Sequence, residues 1–227
     1  MELSTQYNNF AKKFSEVHDT GENSNNLNRK LFYSYLDFVK PGMKLLDVAC
    51  GDGLDLLYYK ELGAAVYGID ASKEMVALAQ SRMPDADIRT GLFESLPFEE
   101  NFFDVVLSKY AIMTSSDLKP VFKEVHRVLK PGGVMMYLVT HPFRQYFEKK
   151  DNTADYFEQQ IVDSNILNNT ILVKEPSHTM NEYLNDFLFK NFDVQLFDEQ
   201  WDPSAEQIDG KKYPGFFILK AVKRQGI

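Results

Sequence analysis

Residues 45–59 have the sequence LLDVACGDGLDLLYY, and this stretch decides the fold class. The apolar run over 43–49 predicts a buried strand, and the two glycines at Gly51 and Gly53 predict a tight loop. The apolar residues of 54–62 end at a glycine and predict a helix. A strand, a glycine loop and a helix in this order let the backbone approach a ligand, because helix N-terminal amides then face it.

Predicted strands and helices alternate along the chain after this stretch. A helix at 179–190 then precedes two strands with no helix between them, which predicts a C-terminal hairpin. Alternation of this kind favours right-handed crossovers and parallel strands. The fold class is therefore α/β, a doubly wound, mostly parallel, Rossmann-like sheet of seven strands, with a C-terminal antiparallel hairpin and a helical cap. The further predicted strands are 64–70, 85–90, 102–110, 134–140, 192–198 and 214–222, and the further helices are 73–83, capped by Ser72, and 117–130.

The 227 residues are expected to form a single domain. Its core is 41–141, and 179–227 supply the final helix and hairpin. Two aromatic-rich segments lie outside this core, an N-terminal cap at 1–40 and a cap insertion at 142–178. Both are predicted to lie over the carboxyl ends of the strands, where open α/β sheets bind ligands.

Composition limits the function classes. The net charge of −8 disfavours phosphate backbones and anionic membrane surfaces as partners. No apolar run approaches the roughly 18 residues that span a bilayer, and the polar N-terminal sequence does not resemble a signal peptide. The single cysteine, Cys50, predicts neither a disulfide nor a cysteine-rich metal site. We expect a cytoplasmic protein without a metal, a monomer or homodimer, whose partner is a small molecule rather than nucleic acid or membrane.

Three classes of ligand use a glycine loop between a strand and a helix. A phosphate-binding P-loop needs a Lys-Ser or Lys-Thr pair, and the sequence has none. A dinucleotide fingerprint needs a third small residue where Leu56 stands, and the anionic Asp52 suits a pyrophosphate poorly. A ligand with a ribose and cationic groups tolerates these acids. Asp70 ends the second strand, where a carboxylate can accept the ribose hydroxyls.

Five motifs in order resemble class I S-adenosylmethionine-dependent methyltransferases of the small-molecule type. The resemblance covers about residues 43–141 and implies the Rossmann-like fold, methyl transfer and S-adenosyl-L-methionine as cofactor. The motifs are LLDVACGDG at 45–53, GIDASKEM at 68–75, LPF at 96–98, FDVV at 103–106 and EVHRVLKPGG at 124–133.

The resemblance also implies which residues contact the cofactor. Asp70 would bind the ribose, and Asp47 would lie near the methionine ammonium. Many relatives have an acid and a small residue ahead of the Leu-Pro-Phe motif, but Leu92 and Phe93 stand here, so we expect backbone and apolar contacts to the adenine. The complete predicted set is Asp47, Gly51, Asp52, Gly53, Asp70, Ala71, Ser72, Met75, Leu92, Phe93 and Ser108.

The acceptor side is predicted from a histidine and from aromatic residues. His141 follows the fifth strand, and a histidine pKa near 6.5 suits a general base at neutral pH. The alternative is a histidine that only hydrogen-bonds its own loop, and the aromatic residues are alternatively plain core. The predicted acceptor-binding residues are Tyr7, Phe14, Tyr110, Phe143 and Tyr146.

The predicted function is transfer of a methyl group from S-adenosylmethionine to an N or O nucleophile of a small molecule. The sequence SKYA at 108–111 stands where amino-directed DNA, RNA or glutamine methyltransferases carry Asn-Pro-Pro-Tyr or Asp-Pro-Pro-Tyr, which disfavours those substrates. Two alternatives stay open, because the same cradle serves other chemistry. They are a cyclase, lyase or carboxypropyl transferase that uses S-adenosylmethionine, and a noncatalytic cofactor-binding protein.

Overall fold

A computed structural model of the protein describes residues 3–19, 25–151, 153–167, 170–203 and 207–225. Nine strands form two sheets, one of seven strands and one of two. The strands are β1 Lys44–Val48, β2 Ala65–Asp70, β3 Asp87–Thr90, β4 Phe103–Lys109, β5 Leu129–Thr140, β6 Ile161–Ile166, β7 Ile171–Pro176, β8 Phe192–Gln200 and β9 Phe216–Lys223.

The large sheet has the order β3-β2-β1-β4-β5-β9-β8. Strands β1 to β5 pair in parallel, whereas β9 runs antiparallel to β5 and β8 antiparallel to β9. The predicted fold class is therefore confirmed. The order reverses between β1 and β4, so the connections that leave these two strands diverge and open a crevice at their carboxyl ends.

Helices cover both faces of the sheet. Ser72 begins α4 as predicted, since its hydroxyl accepts a hydrogen bond from the Met75 amide at 3.1 Å. No helix in the described ranges is long and apolar enough to cross a membrane. The helices are α1 Ala11–Asp19, α2 Asn25–Ser34, α3 Leu54–Glu61, α4 Lys73–Arg82, α5 Leu118–Val128, α6 Pro142–Arg144, α7 Met180–Tyr183 and α8 Asp186–Asn191, with 3-10 segments at Leu3–Asn9 and Ile112–Thr114 and a π segment at Gln145–Lys149.

The core has two layers, one on each face of the sheet. Phe122 of α5 packs with Tyr137 and Phe217 on one face. On the other face, Phe32 of α2 is buried with Leu56 of α3. Helix α2 therefore belongs to the core, because Phe32 is buried in the same cluster as Leu56 and the sheet residue Leu45.

Three elements differ from the predictions. Strand β5 begins at Leu129 rather than at 134, because the Pro-Gly-Gly segment stays beside β4 with a shifted register. The predicted helix at 179–190 is two helices, because Leu184 leaves helical geometry and Asn185 then caps α8 by accepting from the Leu188 amide at 2.9 Å. Strands β6 and β7 form a hairpin inside the cap insertion, where the alternation of apolar residues is too short to predict a strand.

Candidate active site

A cavity of about 550 Å³ lies at the carboxyl ends of the parallel strands, within the usual size range of small-molecule sites. Its floor comes from the loop after β1 and the ends of β2, β3 and β4. Its cover comes from both cap segments. Tyr7, Phe14 and His18 belong to the N-terminal cap, and Ser164, Ile166 and Glu175 are among those that the β6–β7 hairpin supplies.

The glycine loop after β1 forms part of the floor. Gly51 has a φ of +55°, and a Cβ built there would meet only a Phe14 ring carbon, at 4.0 Å. At Gly53, which has a φ of +79°, a Cβ would lie 2.9 Å from the Ala79 Cβ. Gly51 therefore leaves open backbone surface toward the cavity, whereas Gly53 allows α3 to pack against α4.

Asp70 is a half-buried carboxylate at the end of β2, beside this loop. Its two oxygens each accept one backbone hydrogen bond, from the Gly51 and Ser72 amides, both at 2.9 Å. Burial raises the pKa of Asp70 to about 6, and the charge of Asp52 acts in the same direction, while the backbone hydrogen bonds oppose both. A carboxylate has about four acceptor positions, so two remain for a pair of ligand hydroxyls.

Asp52 also borders the cavity, but its carboxylate contacts side chains of α1 and α4. One oxygen lies 3.0 Å from the His18 Nδ1, and the other lies 3.1 Å from an Arg82 guanidinium nitrogen. Burial would raise the pKa of Asp52, but the hydrogen bond and charge of His18, with Ser15 and Arg82, lower it. Asp52 therefore ties the N-terminal cap to the glycine loop.

A second buried ionic cluster surrounds Asp55 of α3. Its carboxylate lies 2.9 Å from the Lys109 Nζ and 3.1 Å from the Arg29 Nε, and it accepts a hydrogen bond from the Tyr33 hydroxyl. Burial opposes ionisation, but the charges of Lys109 and Arg29 lower the pKa of Asp55 to about 2. The cluster joins α2, α3 and β4 behind the cavity, and Asp55 and Lys109 both reach its wall.

Two more ionic groups lie on the covered side of the cavity. Arg144 contacts Asp202 at 3.1 Å, and the Asn28 amide donates to both Asp202 and the Tyr110 hydroxyl. Lys149 contacts Glu175 at 2.8 Å. The wall of the cavity therefore combines the glycine loop and a ribose-compatible acid with ionic groups from the cap insertion and from the segment after β8.

Comparison with known proteins shows what the glycine loop and the strands around it resemble. Residues 46–137, from β1 into β5, match the family model described as a methyltransferase domain. This region is therefore similar to methyltransferase domains, as the sequence motifs predict. S-adenosylmethionine, the cofactor that the motifs imply, is also the cofactor named for solved methyltransferases with this fold.

Individual relatives match part of the chain. An uncharacterised methyltransferase of Synechocystis is 41% identical over 105 residues, which are 45% of this chain and 50% of that protein. A demethylmenaquinone methyltransferase of Chlorobaculum tepidum is 43% identical over 91 residues, 40% of this chain and 38% of that protein. The chain therefore spans half or less of the length of these curated relatives. The crystal structure of an S-adenosylmethionine-dependent methyltransferase from Mesorhizobium loti has the same fold, with a TM-score of 0.65 and 22% identity over 81% of this chain and 92% of that one.

The floor of the cavity fits S-adenosylmethionine. Gly51 leaves backbone open to a ligand, and Asp70 keeps two acceptor positions for ribose hydroxyls. The structure also brings most of the predicted contact residues to one cavity wall, although their individual contacts remain predictions. The predicted residues on this wall are Gly51, Asp52, Asp70, Ala71, Met75, Leu92 and Phe93 for the cofactor, and Tyr7, Phe14 and Tyr110 for the acceptor.

Four other predicted cofactor residues do not line the cavity, and the structure gives no support to their contact roles. The Ser108 hydroxyl donates to the Val48 carbonyl at 3.1 Å, and the Ser72 hydroxyl caps α4. Gly53 faces α4, as described above. Asp47 is buried within β1, and burial, with the charge of Asp55, raises its pKa well above the ordinary range. These four residues support the glycine loop and the strand ends rather than line the cavity.

The predicted base and two predicted aromatic residues also lie off the cavity wall. The His141 Nδ1 accepts from the Phe143 amide at 3.0 Å, and its Nε2 contacts Glu199 at 2.8 Å. Burial lowers the pKa of His141, although Glu199 opposes this, and both ring nitrogens are engaged. Phe143 and Tyr146 pack against another ring of the insertion, that of Tyr156. Thr140, one residue earlier, borders the cavity instead, because successive side chains of a strand point to opposite faces.

We expect His141→Asn to retain methyl transfer within about threefold of wild type, because asparagine also caps helices well. The structure assigns the ring to capping α6 and to holding Glu199. The measurement is kcat against pH for both proteins with the same acceptor. A loss of about 100-fold or more, accompanied by loss of the acidic limb of the pH profile, would restore His141 as the base.

We expect the affinity for S-adenosylhomocysteine to fall as the pH drops below about 6. The empty site holds a proton on Asp70 below its pKa of about 6, whereas ribose hydroxyls donate to the ionised carboxylate. Affinity is therefore full above that pH and decreases by up to about tenfold per unit below it. Calorimetric titrations between about pH 5 and pH 7.5 measure this dependence. The matched variant Asp70→Asn should have a weak affinity that varies much less with pH, and a flat wild-type curve would contradict the assignment.

Several residues of the cavity wall were missed at the sequence level. Lys109 gave one usable signal, because a cation ends an otherwise apolar strand and needs a buried partner. Asp55 gave none, since an acid in the first turn of a helix is common. Arg144, Lys149, Glu175 and Asp202 lie in segments without a motif, and only the fold brings them to the cavity.

Proposed function

We propose that the chain transfers the methyl group of S-adenosylmethionine to a nitrogen or oxygen nucleophile of a small molecule. One observation carries this proposal: a single cavity joins the cofactor floor at Gly51 and Asp70 to a separate polar wall that includes Thr140 and Glu175. A bound acceptor would therefore share one enclosed space with the methyl donor. The enclosure by two caps and the net charge of −8 favour a small molecule over a nucleic acid.

The bound cofactor supplies a methyl group that is already activated by its sulfonium. The residues of the chain then have to orient the acceptor and exclude water, since placement within about 3 to 3.5 Å contributes most to such a transfer. Tyr7 and Phe14 of the N-terminal cap and the β6–β7 hairpin provide the cover. Burial, with the charges of Glu175 and Asp70, raises the pKa of Tyr7, so its hydroxyl stays protonated and can donate a hydrogen bond to the acceptor.

Product analysis tests this proposal. The protein is incubated with S-adenosylmethionine and a panel of small amines, phenols and alcohols, and the nucleoside products are separated by chromatography. Release of S-adenosylhomocysteine that depends on an acceptor supports methyl transfer. Methylthioadenosine would instead indicate attack within the amino-acid chain. Cofactor binding without any turnover would favour a noncatalytic binding protein.

A further inference from the structure

Glu175 is a buried carboxylate that borders the cavity from β7, with 1% of its surface exposed. Its Oε1 accepts hydrogen bonds from the Lys149 Nζ at 2.8 Å, the Ser164 hydroxyl at 2.6 Å and the Gln145 amide at 3.3 Å. Its Oε2 accepts no hydrogen bond from any residue in the described ranges, yet this atom keeps accessible surface. Because Glu175 lines the cavity, this surface is available to a ligand.

The carboxylate of Glu175 is ionised. Burial alone would raise its pKa, but the charge and hydrogen bond of Lys149, with the donors Ser164 and Gln145, lower it below the ordinary value. All of these partners bind the same oxygen, so the second oxygen is an anionic acceptor without a donor among the described residues. Such an atom interacts most favourably with a charged N–H group, since charge-assisted hydrogen bonds are about twice as strong as neutral ones.

The surroundings of Glu175 suit a small cation. The Gln6 side chain makes two hydrogen bonds of 2.8 Å with the backbone of Lys174, which holds the segment carrying Tyr7 beside β7. The Tyr7 hydroxyl has no hydrogen-bond partner within the described part of the chain. The described wall of the cavity carries six carboxylates and three lysine or arginine side chains, and Arg82 and Arg29 pair with two of these acids from outside the wall. Six carboxylates against five cations leave a slight excess of negative charge, which favours cations over anions.

We propose, on the basis of the proposed function, that the methyl acceptor carries a protonated amine that donates a hydrogen bond to the Oε2 of Glu175, with the Tyr7 hydroxyl beside it. Because a protonated amine has no lone pair, it is the group that is recognised, and a second nitrogen or a hydroxyl of the same molecule attacks the methyl carbon and releases its own proton to solvent. The acceptor class is thus diamines and amino alcohols rather than carboxylic acids or uncharged ring compounds. Glu175 binds this group and is not the base, because an ionised carboxylate paired with Lys149 has little affinity for a proton.

The test compares three probes of similar size that differ in charge: benzylamine, benzyl alcohol and benzoate. Each is titrated calorimetrically into the protein saturated with S-adenosylhomocysteine, so the readout is binding and requires no turnover. We expect benzylamine to bind at least about tenfold more tightly than benzyl alcohol. Glu175→Gln should remove this preference, while the affinity for S-adenosylhomocysteine stays within about twofold.

Asp163→Asn is the matched control, because it removes the same charge from the same hairpin at an exposed ion pair with Lys174. If Glu175→Gln does not fold, the double variant Lys149→Met with Glu175→Gln removes both members of the buried pair. Three results would each overturn this inference and leave the proposed function intact. They are equal binding of amine and alcohol, no amine binding at millimolar concentration, and an unchanged preference in the Glu175 variant. Absence of S-adenosylhomocysteine binding to wild type would instead overturn the proposed function and this inference with it.

Discussion

Asp70→Asn is expected to weaken S-adenosylhomocysteine binding by about 100-fold or more, which corresponds to roughly 2.7 kcal/mol. The carboxylate keeps two acceptor positions after accepting from the Gly51 and Ser72 amides. Hydrogen bonds to a charged group contribute about 1.5 to 3 kcal/mol each, and asparagine replaces one oxygen by a second donor. The loss should appear in calorimetric titration and as a smaller ligand-induced rise in Tm.

Asp87→Asn is the matched control for this variant. Asp87 lies on the neighbouring strand β3, where it pairs with Arg89 at the surface. Its replacement removes the same charge without touching the cavity, so the affinity should stay within about twofold of wild type. Equal affinities of the Asp70 and Asp87 variants would mean that Asp70 only orders the glycine loop. The contact to the ribose would then have to be made elsewhere.

Asp55→Asn is expected to lower the free energy of unfolding by about 3 to 5 kcal/mol, the usual cost of removing one member of a buried ion pair. Lys109 and Arg29 would keep their charges in a buried site without a carboxylate. The pKa of Asp55 is lowered from 3.8 to about 2. Its contribution is therefore fully present above about pH 4 and is lost as the pH falls through about 2.

Urea denaturation at several pH values measures this effect. The stability difference between wild type and Asp55→Asn should be large at neutral pH and should shrink as the pH approaches about 2. Glu61→Gln, on the exposed side of the same helix, provides the control and should change stability by less than about 0.5 kcal/mol. A difference that is small at neutral pH would show that the cluster is compensated by water rather than by its own charges.

The fold could be predicted because its signals are local. The apolar strands, the Gly51 loop and the cap at Ser72 are each specified by neighbouring residues, so strand–helix alternation alone predicts the sheet. The errors occur where a distant contact decides the local structure. The Pro-Gly-Gly segment stays in β5 because Leu129 before it and Val134 after it both pair with β4, and the final helix divides at Leu184 and Asn185.

The candidate site divides in the same way. Gly51 and Asp70 are close in sequence and belong to one strand-loop-helix-strand unit, so their role toward a cofactor could be inferred from spacing. The position of His141 could not, because whether a side chain at a strand end faces the cavity depends on the register of β5 against its neighbours. A shift of one residue exchanges His141 and Thr140.

The sequence by itself predicted the methyl donor, because the motifs that carry the resemblance are continuous or nearly so along the chain. The tertiary structure decided which residues form the opposite wall. Tyr7, Tyr110, Thr140, Glu175 and Asp202 come from five separate segments. Strand pairing brings Tyr110 and Thr140 together, and Tyr7 and Glu175 reach the cavity because the caps fold over the carboxyl ends of the strands. The charge of that wall, and with it the class of acceptor that we propose, is a property of the assembled cavity.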